Sequence, residues 1–240
     1  MNLLICVVTY NRKAYTKKTL EMLFDTIEVP HQIIVVDNNS TDGTKEYLES
    51  LLKRNRIDKL ILNPDNYYPG KACNIGWREG LVDYDATHLM RLDNDIHLEK
   101  GWDLAVEDYF KKIPNLGQLG IDNDAIQDPK AKLREMYLNG KTLNPWPGCV
   151  GGPCIVRRSL WDNGLRYDET PWEGSRSKLQ EDSRLSKSIR DMGYLHGHMT
   201  EGLCWTFANE DNWGEFPDYY KKTFYDRGYD ELIDKIKEKI

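Results

Sequence analysis

Apolar runs and helical repeats alternate along the first half of the chain, with polar turns between them. Unbroken apolar runs are typical of strands that are buried on both faces of a sheet. Leu3–Val8 is such a run, and further strands are predicted at Gln32–Val36, Lys59–Leu62 and Thr87–Leu92. Apolar residues at helical spacing lie between the first two strands, at Leu20, Leu23, Phe24 and Ile27. This alternation predicts an α/β fold with a mainly parallel central sheet flanked by helices.

The second half of the chain is less regular. Residues 122–148 show little strand pattern and include the proline-rich stretch Asn144–Gly148, so we expect a loop or lid there. A strand pattern returns over Cys149–Arg157, and a helix is predicted over Ser183–Met192. A further amphipathic helix is predicted within residues 216–240.

Composition narrows the class of protein. The 240 residues suit one large domain, and the net charge of −6 with scattered Lys and Arg shows no basic stripe for nucleic acid. Met1–Val8 lacks the features of a signal peptide, and no run approaches the roughly 20 apolar residues of a membrane span. The five cysteines have no paired spacing, which favours free thiols. We therefore expect a cytoplasmic protein without an integral membrane segment.

Polar clusters follow three of the predicted strands. They are Thr9–Arg12, Asp37–Ser40 and Asp93–Asp95. Ligands of open α/β sheets bind at the carboxyl ends of the strands, so we expect these clusters to form one site. Asp37 is a candidate acceptor for a nucleobase imide, and Asp37 and Ser40 are equally suited to capping the next helix.

The triplet Asp93-Asn94-Asp95 is a candidate metal site. Residues two apart in extended backbone point to the same side, and paired carboxylates suit Mg²⁺ or Mn²⁺ bound to a diphosphate. Asp122-Asn123-Asp124 repeats the pattern after the strand-like run Leu116–Ile121. We interpret this second triplet as loop polarity and keep it as the rival metal site.

Glu181-Asp182 begins the helix predicted over Ser183–Met192. A carboxylate there can accept a proton from a hydroxyl, although acidic residues also occur at helix starts for reasons of helix stability alone. His196 and His198 alternate on a predicted strand, and either is a candidate third metal ligand or a hydrogen-bonded wall residue. Trp146 is a candidate platform for a sugar ring.

Together these motifs resemble glycosyltransferase family 2, whose members have the GT-A fold. The resemblance spans about residues 3–200 in order and rests on Val7–Arg12, Val35–Thr44, Asn66–Gly76, Leu92–Asp95, Gly101-Trp102, Gly151-Gly152, Gly164–Glu169 and Glu181-Asp182. It implies transfer of a sugar from a nucleotide-sugar to an acceptor hydroxyl with inversion, and a UDP-sugar is the favoured donor. Mn²⁺ or Mg²⁺ is the implied cofactor.

The resemblance also implies roles for individual residues. Asp182 would be the general base, Asp37 would bind the nucleobase, and Asp95 would bind the metal directly. The implied metal ligands are Asp93, Asp95 and His198. The implied donor-binding residues are Thr9, Tyr10, Asn11, Arg12, Asp37, Asn39, Asn66, Gly70, Lys71, Asn74, Asp93 and Asn94. The implied acceptor-binding residues are Trp146, Gly151, Gly152 and Glu181.

One feature departs from the family pattern. Family members often carry a histidine some dozen residues beyond the glycine that matches Gly193, whereas this chain has Leu203–Thr206 there. His198 is assigned as the third ligand because it and His196 are the nearest histidines.

The implied organisation is one domain over residues 1–240. Within it, residues 1–121 form the nucleotide-sugar half, 122–148 the loop or lid, 149–215 the acceptor half and 216–240 a C-terminal helix.

Other functions stay open at this point. A catalytically silent nucleotide-sugar-binding module would use the same sheet, and a DNA-modifying glycosyltransferase is possible in principle but has no support from the acidic charge. Nucleotidyltransferases and dehydrogenases are disfavoured, because no glycine-rich phosphate loop follows the first strand. The acceptor can be a glycan, a small molecule or a modified macromolecule, since fold does not choose among them.

Overall fold

The computed structural model describes residues 1–170, 181–207, 214–227 and Leu232. The strands in this part of the chain are β1 (Leu3–Thr9), β2 (His31–Asp37), β3 (Lys59–Leu62), β4 (His88–Asp93), β5 (Ile96–Leu98), β6 (Leu116–Gly120), β7 (Met136–Leu138), β8 (Lys141–Asn144), β9 (Cys154–Arg157), β10 (Leu195–Met199) and β11 (Cys204–Thr206). The helices are α1 (Lys13–Thr26), α2 (Thr44–Lys53), α3 (Tyr68–Gly80), α4 (Trp102–Lys112), α5 (Pro129–Lys132), α6 (Arg158–Asp162), α7 (Glu181–Asp191) and α8 (Pro217–Arg227).

Within the described residues, nine strands form one sheet in the order β3-β2-β1-β4-β9-β6-β10-β8-β7, and β5 pairs with β11 separately. Strands β3, β2, β1 and β4 run parallel to one another, and β6 runs parallel to β10. In contrast, β9 runs antiparallel to both β4 and β6, and the β7–β8 hairpin adds to β10 antiparallel. Because β9 reverses direction between them, β4 and β6 point the same way. Residues that follow these two strands therefore meet at one edge of the sheet.

Strand β1 lies at the centre of the first half of the sheet, and all seven of its residues are buried. Alternate side chains belong to two apolar clusters on the two faces, as expected for a strand of period two. Ile5 lies in the cluster that contains Leu20 of α1 and Trp102 of α4. Cys6 lies in the opposite cluster, with Trp77 of α3. The helices thus cover both faces, as the apolar run predicted.

Helix α3 packs very closely against the sheet because two of its glycines face the strands. A Cβ atom added at Gly76 would lie 2.3 Å from Cys6 Sγ, and one added at Gly80 would lie 2.4 Å from Ile34 Cδ1. Such distances are far shorter than ordinary packing contacts, so no larger side chain fits at either position without displacement. The two glycines, four residues apart, set how α3 sits on the sheet.

The expectation of an irregular loop over residues 122–148 is wrong for its second part. A 3₁₀ turn at Asp124–Ile126 and the short helix α5 come first, and β7 and β8 then form a hairpin paired at Leu138 and Lys141. The two-residue turn between the strands is Asn139-Gly140, both with positive φ. Asn-Gly is the residue pair that such a turn prefers, so the hairpin signal was present in the sequence.

The strand predicted over Cys149–Arg157 begins only at Cys154. Gly151, Gly152 and Pro153 precede it, and this composition disfavours sheet pairing because proline lacks a ladder donor and glycine lacks a side chain to pack. The helix predicted within residues 216–240 is observed as α8; residues 228–231 and 233–240 lie outside the described part of the chain. In the described ranges, no helix combines the length and apolarity needed to cross a bilayer.

Candidate active site

A cavity of about 850 Å³ lies at the carboxyl ends of β1 and β4, where the sequence predicted one site. Among the residues singled out from the sequence, the cavity is lined by Thr9, Tyr10, Asn11, Arg12, Asn66, Asp93, Asn94, Asp95 and Gly152. Helix α8 and the residue before it line another side with aromatic residues that the sequence argument did not place there, namely Phe216, Tyr219, Tyr220 and Phe224. The remaining selected residues lie behind or outside this lining: Asp37, Asn39, Gly70, Lys71, Asn74, Trp146, Gly151, Glu181, Asp182 and His198.

Asp37 anchors the loops at the carboxyl end of β1 and β2. Its Oδ1 accepts hydrogen bonds from Thr9 Oγ1 at 2.9 Å and Ser40 Oγ at 2.5 Å, and its Oδ2 accepts from Ser40 N at 2.9 Å. Asn11 joins the same network, because its Oδ1 accepts from Thr41 N at 2.9 Å. These bonds hold the loop after β2 in place, but they do not cap the next helix, because the N-cap of α2 is Gly43 and no side chain bonds there. The capping interpretation of Asp37 and Ser40 is therefore wrong. Recognition of a nucleobase by Asp37 stays a prediction.

Arg12 is buried in the cavity wall and bonds the Asp-x-Asp triplet directly. Its Nη1 donates to Asp95 Oδ2 at 2.7 Å, and its Nη2 donates to Asn94 Oδ1 at 2.6 Å. The ring of Tyr219 lies 4.2 Å from the guanidinium carbon, within cation–π distance. Arg12 adopts the left-handed conformation, with φ of 56°. This conformation costs a non-glycine residue about 1–3 kcal/mol, and strain of that kind concentrates at functional sites.

Asp93 and Asp182 are held by a single buried guanidinium, that of Arg91. Its Nε and Nη2 donate to the two oxygens of Asp93 at 2.9 and 3.2 Å. Its Nη1 donates to Asp182 Oδ1 at 2.8 Å and to Glu181 Oε1 at 3.4 Å. The two acidic motifs, almost ninety residues apart in sequence, therefore meet across one side chain. The sequence signal for Arg91 was a lone charged residue inside an otherwise apolar strand run.

Glu181 connects this cluster to the start of α3. Gly70 N donates to Glu181 Oε2 at 3.2 Å, and a Cβ on Gly70 would approach the same oxygen to 2.8 Å. Burial raises the pKa of Glu181 to about 7, and the nearby charges of Asp182 and Asp93 push the pKa in the same direction while Arg91 opposes it. Gly151 lies beside the base candidate, since its Cβ position is 3.5 Å from Asp182 Oδ2.

Three further residues that were expected to bind the nucleotide-sugar lie near this cluster or in the neighbouring loops. Asn74 fixes the segment after α6, because its Nδ2 donates to Tyr167 O at 2.9 Å and its Oδ1 accepts from Tyr167 N at 3.0 Å. Lys71 Nζ lies 4.1 Å above the ring of Tyr67. Asn39 sits in the loop after β2 with a φ of 65°. Their contact with a donor stays a prediction.

Asp122 lies in the same cavity wall as Asp93 and Asp95, because it follows β6, which runs in the same direction as β4. Burial raises the pKa of Asp122 to about 6, and the charges of Asp124, Asp95 and Asp93 add to that rise. The interpretation of the second triplet as loop polarity therefore missed that it converges on the first.

The donor atoms of this wall suit a hard divalent cation in their chemistry. Asp93, Asp95 and Asp122 offer carboxylate oxygens. Burial is the main cause of the raised pKa of Asp122, and the neighbouring negative charges that add to the rise are ones that a cation would relieve. Within the described residues, no group of three or more metal-ligating side chains is already arranged around one point. Asp95 and Asp93 are instead bonded to Arg12 and Arg91.

His198 is not among the residues that line this cavity. It is buried on β10 opposite Asn144, and a Cβ on Gly120 would lie 2.3 Å from its ring. Burial lowers the pKa of His198 to about 4, so the ring is neutral at pH 7. Trp146 follows Asn144, whose Oδ1 accepts its backbone N–H at 3.0 Å. Both residues therefore belong to the region around β8 and β10, outside the cavity lining.

Comparison with known proteins identifies the family. The family model described as Glycosyl transferase family 2 matches residues 4–164, and the chain belongs to that family. A Haemophilus influenzae protein described as an uncharacterized glycosyltransferase is 25% identical over 116 residues, which are 48% of this chain and 35% of that protein. The match thus spans about a third of the curated relative's length.

Solved structures show the same fold. A mannosyltransferase from Pyrobaculum calidifontis, solved with GDP-Man and Mn²⁺, has a TM-score of 0.69 and 15% identity, with 94% of this chain and 62% of that chain covered. S. aureus TarS, solved with UDP, has a TM-score of 0.65 and 17% identity, with 98% of this chain and 70% of that chain covered. The predicted α/β, GT-A fold is confirmed.

Proposed function

We propose that this protein transfers a sugar from a nucleotide-diphosphate sugar to an acceptor hydroxyl, with inversion at the sugar carbon. A UDP-sugar is the favoured donor. The observation that carries the proposal is the junction of Asp182 with Asp93 through Arg91, at the wall of a cavity large enough for a nucleotide-sugar. Related structures were solved with GDP-Man or UDP-GlcNAc, which supports a nucleotide-sugar as the donor class.

The cavity residues divide into two groups by chemistry. The polar loop Thr9–Arg12, with Asn66 and Asn94, offers hydrogen-bonding groups for the nucleotide, and Tyr10 and Tyr219 offer aromatic faces with centroids 6.3 Å apart. A divalent cation, Mn²⁺ or Mg²⁺, would be held by Asp95 with Asp93 and Asp122 beside it. When bound, the ion would neutralise charge on the diphosphate.

Asp182 is the proposed general base. Its side chain is 30% exposed, and Arg91 Nη1 donates a hydrogen bond to its Oδ1 at 2.8 Å. The base accepts the proton of the acceptor hydroxyl as that oxygen forms the new bond to the sugar, on the side opposite the departing diphosphate. Attack from that side inverts the sugar configuration. The acceptor itself is a glycan, a small molecule or a modified macromolecule.

The first test is release of nucleoside diphosphate from UDP-, GDP- and dTDP-sugars, with Mn²⁺, Mg²⁺ or chelator, in the presence of acceptor hydroxyl compounds. Asp182→Asn should lower kcat by about 10²–10⁴-fold, because it removes the proton acceptor but keeps the shape. Donor binding, measured by calorimetry, should stay near the wild-type value.

The matched control is Asp191→Asn, at the other end of α7, where an exposed carboxylate accepts a hydrogen bond from Lys187 of the same helix. It should turn over like the wild type. Asp95→Ala should remove the stimulation by metal. A wild-type protein that neither binds any nucleotide in the presence of metal nor releases diphosphate from any donor would overturn the proposal.

A further inference from the structure

Arg91 is a charged residue at an otherwise apolar position of the central sheet. It lies on β4 with 4% of its surface exposed, between the buried residues Met90 and Leu92. A buried cation is tolerated only when hydrogen bonds and opposite charges compensate for lost hydration. What surrounds Arg91 therefore indicates why the chain carries an arginine here.

The guanidinium of Arg91 bridges three carboxylates from two distant segments. Two of its nitrogens bond both oxygens of Asp93, and the third reaches Asp182 at 2.8 Å and Glu181 at 3.4 Å. The ring of Tyr167 lies 5.4 Å from the guanidinium carbon and covers the group from another side. Only a planar fork with several donors can bond all of these oxygens at once.

The carboxylates are more exposed than the arginine that joins them. The side chains of Asp93 and Asp182 are 27% and 30% exposed, against 4% for Arg91, which also belongs to the cavity lining. The bonds from its guanidinium to both carboxylates fix how far apart they stand. Gly152 keeps this arrangement compact, because its Cβ position is 2.7 Å from Asp93 Oδ2 and 2.9 Å from Arg91 Nε.

We propose that Arg91 is a positioning residue for sugar transfer, which sets the separation of Asp182 from Asp93 and so aligns the base with the donor diphosphate. The proposal rests on the proposed function. It assigns to Arg91 no contact with substrate. It also explains why the chain buries a cation on β4, where an apolar residue would complete the strand.

The charges around Asp182 give the proposal a second readout. Arg91 faces it from β4, Glu181 neighbours it on α7, and Asp93 lies across the guanidinium. Tyr167 and Cys154, which also lie nearby, are kept neutral because burial raises the pKa of each. Without Arg91, the charge of Asp93 would act on Asp182 with no cation between them, so the pKa of the base would rise.

Arg91→Lys and Arg91→Met test the proposal. Lysine keeps the charge but cannot bridge both segments, so kcat should fall by about 10²-fold while the donor KM changes by less than about threefold. For Arg91→Met, the acidic limb of the pH profile of kcat should also move to higher pH by about 1 unit or more. Both results follow from a base that is misplaced and less readily ionised.

The control is Arg157→Met on β9, the strand next to β4. Arg157 is also a partly buried strand arginine, but it donates to backbone carbonyls of Leu116 and Phe110 and not to a carboxylate. Its loss should lower stability and leave kcat and the pH profile unchanged. Equal effects of Arg91→Lys and Arg157→Met on kcat would overturn the positioning role.

A measurement without turnover separates this proposal from the proposed function. In protein labelled with ¹³C at aspartate carboxyls, the Asp182 signal, assigned by its absence in Asp182→Asn, should titrate at higher pH in Arg91→Met than in the wild type. An unchanged titration in folded Arg91→Met would overturn the role of Arg91, even if transfer is observed. A wild type without turnover would contradict the proposed function, while the titration still decides for or against Arg91.

Discussion

Replacing Gly152 by alanine is the sharpest test of how tightly the acidic cluster is packed. An added Cβ would lie 2.7 Å from Asp93 Oδ2, 3.0 Å from Asp93 Cγ and 2.9 Å from Arg91 Nε. Neither neighbour can move away freely, because each is bonded to the other. The new methyl group must therefore displace the Asp93–Arg91 pair or the segment that carries it.

The adjacent Gly151 supplies a matched control. Its added Cβ would meet Asp182 Oδ2 at 3.5 Å, an ordinary contact, and neither glycine has a positive φ. Alanine gains about 0.4–1 kcal/mol over glycine where its conformation is allowed, by restricting the unfolded chain. Overpacking costs about 1–3 kcal/mol. Gly152→Ala should thus lose about 1–2 kcal/mol net, while Gly151→Ala should be neutral or slightly stabilised.

Urea unfolding at pH 7 measures both variants against the wild type. For a chain of this length, a loss of about 1–2 kcal/mol corresponds to a Tm lower by about 2–8 °C. Gly152→Ala should also turn over more slowly, since the methyl group displaces Asp93. The reasoning is refuted if Gly152→Ala and Gly151→Ala have the same free energy of unfolding, because the structure would then accommodate the two added methyl groups equally well.

Three further predictions concern stability and binding. His198→Gln should make the free energy of unfolding depend less on pH between 6.5 and 4. Burial lowers the pKa of this histidine to about 4. The contribution of the neutral ring, about 3 kcal/mol, is therefore present above pH 6.5 and is lost as the pH falls toward 4. Urea unfolding at pH 7, 5.5 and 4.5 measures the slope, and an unchanged slope contradicts a buried neutral ring. Tyr109→Phe should lose about 1–2 kcal/mol of unfolding free energy, because the hydroxyl lies 2.6 Å from Thr142 O and 2.7 Å from Glu201 Oε2; a variant as stable as the wild type would show that these contacts contribute nothing. Tyr219→Ala should weaken UDP binding by about two- to tenfold in calorimetry, through loss of an aromatic face of the cavity, and unchanged affinity would exclude contact with the nucleotide.

The strands of the first half were readable because short apolar runs between polar turns leave a local signature. The run Leu3–Val8 corresponds to the buried strand β1 within one residue, and Lys59–Leu62 is β3, whose residues are half-buried or exposed. The position of β9 between β4 and β6 was not readable, because an apolar run such as Cys154–Val156 fits a buried strand in either direction. Strand order and direction come from contacts between distant segments, which a local pattern does not contain.

The site was partly predictable for the same reason. Residues after parallel strands meet at one edge, so Thr9, Arg12 and Asp95 were correctly expected together. The convergence of Asp122 depends on β9 reversing between β4 and β6, which only the fold shows. The left-handed conformation of Arg12 was likewise not predicted, as nothing in the neighbouring sequence requires it.

The close seating of α3 on the sheet extends the region in which mutations can alter activity. Gly80 lies ten residues from Gly70, or about 15 Å along a helix, yet both belong to the same rigid rod. A side chain forced in at Gly80 would lift the far end of the rod and tilt the near end, where Gly70 N meets Glu181. Substitution of Gly80 by a larger residue would then change activity, although Gly80 lies at the end of α3 that is farther from Glu181.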